Sequence, residues 1–174
     1  MKIIMICGKA RSGKDTLTDY LIPGFESGKV CRIQISQYIK YYAMKYFGWD
    51  GKEETKPRDL LNKIGTEIIR EKIDPLFHIN RLLEDLEVLS YFFDTFIIND
   101  VRLPLEIEKV KEKYENVTTI KIFRDSSELS DKQKKEITEV GFDDYNDFDY
   151  VVDNSGTLED LEKKANEIIN EIGD

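Results

Sequence analysis

Strands alternating with helices along the whole chain predict an α/β protein, a three-layer α/β/α sandwich around a parallel sheet of about five strands. Three observations carry this expectation. Ile3-Ile4-Met5-Ile6-Cys7 is a short apolar run of the kind that forms a fully buried strand. Similar runs recur at 30–35, 93–100, 117–122 and 148–152, several of them β-branched. Between them lie segments with apolar residues at helical spacing, as parallel strands need for their crossovers.

The first strand runs straight into Gly8-Lys9-Ala10-Arg11-Ser12-Gly13-Lys14, a G-x-x-x-x-G-K loop, and residues 15–21 continue as a helix. Strand, glycine loop, lysine and helix together are the context in which this spacing binds phosphate. Gly8 and Gly13 let the loop curl with its N–H groups inward. Those amides and the positive end of the helix dipole then face an anion. Lys14 is a compact cation placed to bridge outer phosphates. The next residue, usually a hydroxyl that meets Mg²⁺, is here Asp15, followed by Thr16. A carboxylate is also a good hard-cation ligand, directly or through water.

Pro23 and Gly24 end the first helix, and Gly28 marks a turn before the second strand at 30–35. Ser36 caps a helix from Gln37 to Phe47 whose Tyr38, Tyr41, Tyr42 and Phe47 fit core packing, or for one or two of them the flat wall of a nucleobase slot. Pro57 opens a helix to about Arg70, with Leu61, Ile64 and Ile68 on one face. Asp74-Pro75 starts a longer one to about Ser90. The only histidine, His78, lies there and reads as a surface or satisfied packing residue rather than a catalyst. The third strand, 93–100, ends in Asp100, where an acid at the carboxyl edge of a parallel strand can orient Mg²⁺ and its waters. Arg102 follows at the same edge. A helix around Leu103, Ile107, Val110 and Tyr114 leads to the fourth strand, which Arg124 closes. Residues 126–139 are polar and charged, a helical excursion ended by Gly141. After the fifth strand, Thr157-Leu158-Glu159-Asp160 caps the last helix.

Composition bounds the function. The 174 residues suit a single domain, 1–174, with a full core. With 40% apolar and 35% charged residues the chain reads as a soluble globular protein. A net charge of −9 argues against a nucleic-acid polymer as partner, but not against a small nucleotide, which needs only a local basic pocket. Cys7 and Cys31 read as buried small hydrophobes in a reducing compartment. With no leader-like start and no apolar run long enough to span a bilayer, the expected setting is the cytoplasm, away from membranes, with a homodimer left open.

S-G-K-D-T, GTEIIR (65–70), NDVRLPLE (99–106) and TEVGFDDYNDFDYVVDNSGTLEDL (138–161) together resemble the deoxynucleoside monophosphate kinases of bacteriophages and bacteria. These have the P-loop nucleoside monophosphate kinase-like fold. The loop and the D-V-R segment are the specific parts. Thr138 stands where that family has Ser. Animal phosphomevalonate kinase is similar in its S-G-K-D loop and F-G-D-F-D ending, so these motifs leave the acceptor open.

The resemblance implies a helical acceptor-site insert at about 36–92 and a lid at about 125–141. It implies ATP and Mg²⁺ as cofactors and small-molecule nucleotides as partners. Lys14 and the loop residues Gly8 to Thr16 would hold the ATP phosphates, with Asp15 and Thr16 near Mg²⁺. Arg70 and Arg102 would meet the acceptor phosphate, and Lys40 matches a basic position of the family. Arg124 would stand at the base of the lid, and Asn154 and Gly156 near the adenine. The family's lid carries Arg and His; here Lys132, Lys134 and Lys135 are its cations. Either a Lys substitutes, Arg11 contributes, or the protein is slow or inactive. The expected activity is ATP-dependent phosphoryl transfer to a (deoxy)nucleoside monophosphate. The alternatives are a kinase of a non-nucleotide phosphate and a catalytically weak nucleotide-binding regulator.

Overall fold

The computed structural model describes residues 1–25, 28–124, 142 and 145–173. The lid expected at 125–141 lies outside the described residues, with Lys132, Lys134 and Lys135. In chain order the elements are β1 (Lys2–Cys7), α1 (Lys14–Leu21), β2 (Val30–Ile33), α2 (Gln37–Phe47), α3 (Arg58–Asn62), a π-helical segment (Lys63–Ile73), α4 (Phe77–Leu89), β3 (Thr95–Val101), α5 (Pro104–Lys113), β4 (Val117–Phe123), β5 (Tyr150–Asp153) and α6 (Leu158–Ile172). They fall into two compact units, one of Met1–Ile33 with Leu89–Asp174 and the other of Gln34–Val88.

The first unit is built on a five-stranded sheet in the order β2-β3-β1-β4-β5. Every neighbouring pair is parallel. Successive side chains of β1 point to opposite faces. Ile4 and Ile6 join Leu17 and Leu21 of α1, Ile120 and Ile122 of β4, and Leu161 and Ala165 of α6 in one apolar core. Each of these is almost fully removed from water. At roughly 1.5–3 kcal/mol for each fully buried large aliphatic side chain, this layer is a main source of stability. Ile107 and Val110 are the buried residues through which α5 packs beside β4.

The last helix is closed at both ends by side chains. The Thr157 hydroxyl accepts from the Asp160 backbone N–H at 3.2 Å while the Asp160 carboxylate accepts from the Thr157 N–H at 3.0 Å, a reciprocal cap. At the other end the Lys2 ammonium donates to the carbonyls of Ile172 and Gly173 at 3.1 and 3.2 Å, satisfying orphan acceptors of the last turn.

The unit Gln34–Val88 is helical. Asp85 of α4 accepts from Gln37 Nε2 at 2.6 Å and from the Tyr38 hydroxyl at 2.7 Å, which ties α2 to α4. The helix expected from Pro57 to Arg70 is interrupted. It starts as α3, then winds more widely as a π-helix to Ile73, ending on an Asp74 N–H to Ile69 carbonyl bond of 2.9 Å. Gly65 lies against Ile39 so closely that a Cβ would stand 2.6 Å from Ile39 Cδ1. The Gly65 carbonyl takes His78 Nε2 at 3.1 Å. A carbonyl only accepts, so Nε2 carries the proton. His78 is a buried packing residue. Among the described residues no helix is long and apolar enough to cross a membrane.

Candidate functional site

The loop leaves the carboxyl end of β1, the central strand, between β3 and β4. Ligands of open α/β sheets sit at that edge. Two residues of the loop take left-handed backbone angles, Gly13 at φ 98° and Arg11 at φ 62°. Gly13 is required twice over, since a Cβ there would also collide with the Asn154 amide. Asn154 Nδ2 donates to the Ser12 carbonyl at 2.9 Å, and the Asn154 backbone N–H donates to the Phe123 carbonyl at 2.8 Å. The turn after β5 therefore braces the loop from behind. The resemblance assigned Asn154 to the adenine; its side chain holds the loop backbone. Gly156 lies two residues on, packed over the Asp160 carboxylate.

The Lys14 ammonium curls back over the loop and donates to the carbonyls of Gly8 at 2.7 Å and Lys9 at 2.9 Å. The Ser12 hydroxyl is buried and has no hydrogen-bond partner among the described residues. A loop with an ammonium at its mouth and an unsatisfied hydroxyl fits a triphosphate. Cys7, just before the loop, is buried, and burial pushes its thiol up to about 12 although Lys121 and Lys14 pull it down. It is an inert thiol at neutral pH.

Asp15 opens α1 and is the junction of three elements. Arg32 of β2 pairs with Asp15 and also donates to Asp19 at 3.1 Å. Asn99 of β3 donates to Asp15 Oδ1 at 2.7 Å. An irregularity in β3 puts Asn99 there: Met5 pairs with Ile98 but Cys7 pairs with Val101, so Asn99 and Asp100 together stand opposite Ile6. Bulges re-aim side chains in this way near active sites. Asp100, expected at the strand's end, sits inside β3 and is half-buried. Thr16 follows on α1, also half-buried. Among the described residues no three or more His, Cys, Asp or Glu are grouped to hold a metal alone. Mg²⁺ in phosphoryl-transfer sites takes only one or two carboxylates, the rest being phosphate and water. The Asp15 carboxylate at the start of α1 suits that demand.

Arg102 leaves the sheet edge on a turn that Glu106 builds. The buried Glu106 carboxylate accepts from the backbone N–H groups of Arg102 at 2.7 Å and Leu103 at 3.1 Å, capping α5. The Arg102 side chain is exposed, as is that of Arg124 just past β4. Lys40 and Arg70 belong to the unit Gln34–Val88, Lys40 on α2, where it donates to Gln34 at 2.5 Å, and Arg70 half-buried on the π-helical segment. Sequence reasoning placed Asn99 and Glu106 only as the ends of the NDVRLPLE segment, with no role for either, and it missed Arg32, which had no signal.

A family model described as deoxynucleotide monophosphate kinase matches residues 29–165. A curated relative, the deoxynucleotide monophosphate kinase of Escherichia phage RB69, is 27% identical over 113 residues, 64% of this chain and 44% of that protein. The chain thus spans less than half the length of this relative. Among solved structures, dephospho-CoA kinase from Campylobacter jejuni is similar with TM-score 0.55 and 18% identity over 99% of this chain and 97% of that one. Shikimate kinase from Aquifex aeolicus gives TM-score 0.51 and 16% identity over 97% and 96%. These likenesses show the three-layer P-loop kinase fold.

Proposed function

The chain belongs to the deoxynucleotide monophosphate kinase family, and from that premise we propose that it transfers the terminal phosphoryl group of ATP to a (deoxy)nucleoside monophosphate in the cytoplasm. The observation that carries the reading is the braced glycine loop at the carboxyl edge of β1, with the Lys14 ammonium held over its mouth. On triphosphate binding Lys14 exchanges two loop carbonyls for phosphate oxygens, a stronger charge-assisted contact. The loop amides other than that of Ser12, which donates to the Lys9 carbonyl at 3.2 Å, cradle the same group. Mg²⁺, when bound, would supply positive charge that offsets the phosphate charge, with Asp15, Thr16 and Asp100 the residues that would hold it or its waters.

The acceptor oxygen is already anionic, so no strong general base is needed. The residues' work is positioning and charge neutralisation. Arg102 is the guanidinium we assign to the acceptor phosphate, where a planar fork matches two oxygens. The turn capped by Glu106 presents it. Arg70 and Lys40 are the further acceptor cations that the family resemblance suggests, and Arg124 is assigned to the transferring group.

A panel of nucleoside and deoxynucleoside monophosphates with ATP and Mg²⁺, read by diphosphate formation, tests the proposal. At least one deoxynucleoside monophosphate should be converted. Conversion of a phosphorylated isoprenoid precursor, with ADP formed and no nucleoside monophosphate phosphorylated, would overturn it, as would ATP binding without transfer to any acceptor.

A further inference from the structure

We propose that Arg32 is a positioning residue of the nucleotide site, which neutralises and aims the carboxylate directly behind the loop lysine. The inference rests on the ATP-binding reading above and deepens it. Position 15 holds a carboxylate where G-x-x-x-x-G-K loops usually place a hydroxyl. That adds a negative charge beside the ammonium whose task is to meet a polyanion. Over side-chain distances an uncompensated like charge weakens anion binding.

The compensation comes from β2. Asp15 and Asp19 lie one helical turn apart on α1, so their carboxylates share a face and repel. The Arg32 guanidinium spans both, one nitrogen on Asp15 Oδ1 and the other 3.1 Å from Asp19 Oδ1. Its planar fork can serve two carboxylates at once, which an ammonium cannot do with the same geometry. From β3, Asn99 donates to the same Asp15 oxygen at 2.7 Å. Both contacts fall on Oδ1 of a side chain that is 77% exposed. Arg32 and Asn99 thus fix the carboxylate by one oxygen, and the other is the one to meet a metal-bound water. A purely structural surface pair predicts a small stability effect and no dependence of ATP affinity on Arg32.

The test is a double-mutant cycle on the full chain, with ATP affinity measured by calorimetry in Mg²⁺ and melting followed in parallel. Arg32→Met keeps the stem and removes the charge. We expect it to weaken ATP binding about tenfold, the effect of one lost charge-assisted contact. In an Asp15→Asn background the same change should cost less than twofold, because no carboxylate remains to neutralise. Arg32→Lys should recover part of the affinity in the parent but not in the Asp15→Asn background. Unchanged affinity in Arg32→Met, or an equal loss in both backgrounds, overturns the proposal. If Arg32→Met does not fold, Arg32→Gln takes its place in the cycle with the same two outcomes. Lys14→Ala separates the two readings. If it binds ATP as well as the parent, the nucleotide assignment itself fails; if it loses binding while Arg32→Met does not, only the role of Arg32 fails.

Discussion

The glycine loop and the helical unit Gln34–Val88 are held in contrasting ways. The loop is fixed by side chains from distant parts of the chain: Asn154 on the Ser12 carbonyl, Asn99 and Arg32 on Asp15. The helical unit leaves much apolar surface in water. Ala43 is the only buried residue of α2, while Tyr41, Met44, Tyr46 and Phe47 are 43–67% exposed. Polar ties join Asp85 to Gln37 and Tyr38, and His78 to the Gly65 carbonyl. The contrast teaches where constraint is needed. A triphosphate offers the same charge and oxygens whatever the acceptor is, so its cradle can be rigid. Helices with few buried anchors have low local stability and can shift.

The largest expected effect is on the rigid side. Lys14→Ala should lower turnover at least ~10²-fold, the scale of one lost electrostatic contact to the reacting group, measured as steady-state phosphotransfer. Near-parental turnover would remove the loop from the mechanism. Gly13→Ala should destabilise the fold by ~1–3 kcal/mol through its left-handed angle, and more through its collision with Asn154. Denaturant unfolding measures this, and pairing it with Asn154→Ala should recover the collision part alone. Asp85→Ala tests the other side of the comparison. It should cost ~1–2 kcal/mol by orphaning Gln37 and Tyr38, yet leave ATP affinity within twofold by calorimetry. A large loss of ATP binding there would erase the distinction between the two regions.

A further expected effect is a pH dependence. Burial raises Cys7 from 9.0 to about 12 and Tyr150 from 10.0 to about 12, the latter also through its bond to Glu171. A raised acid holds its proton in the folded state after the unfolded chain has lost it. The stability it contributes is complete below the unfolded value and lost as pH rises toward the folded one. Melting temperature should fall between pH 9 and 12, and Cys7→Ala should flatten the first part of that fall. Identical alkaline profiles for Cys7→Ala and the parent would contradict the burial of this thiol.

The sheet was legible because parallel strands are buried on both faces and read as apolar runs. The loop was legible because its residues are contiguous and chemically restricted. The Thr157–Asp160 cap was legible for the same reason. What escaped is non-local. Arg32 is 17 residues from Asp15 and Asn99 is 84 away, and no pattern in one sequence reports such a pairing. The irregularity in β3 adds a single residue, which left Asp100 as the expected loop-facing acid while Asn99 reached Asp15. The π-helical segment carries apolar residues at spacings that an ordinary helix also allows, so periodicity could not separate the two windings.

The brace from Asn154 to Ser12 bridges 142 positions of chain. During translation at about 5–20 residues per second, the loop would therefore be exposed for roughly seven to thirty seconds before its support is made. The nascent protein carries every loop residue early, but it can grip a nucleotide firmly only after β5 has docked. Ribosome-bound chains ending before residue 154 should accordingly be the stage at which chaperones find this motif open.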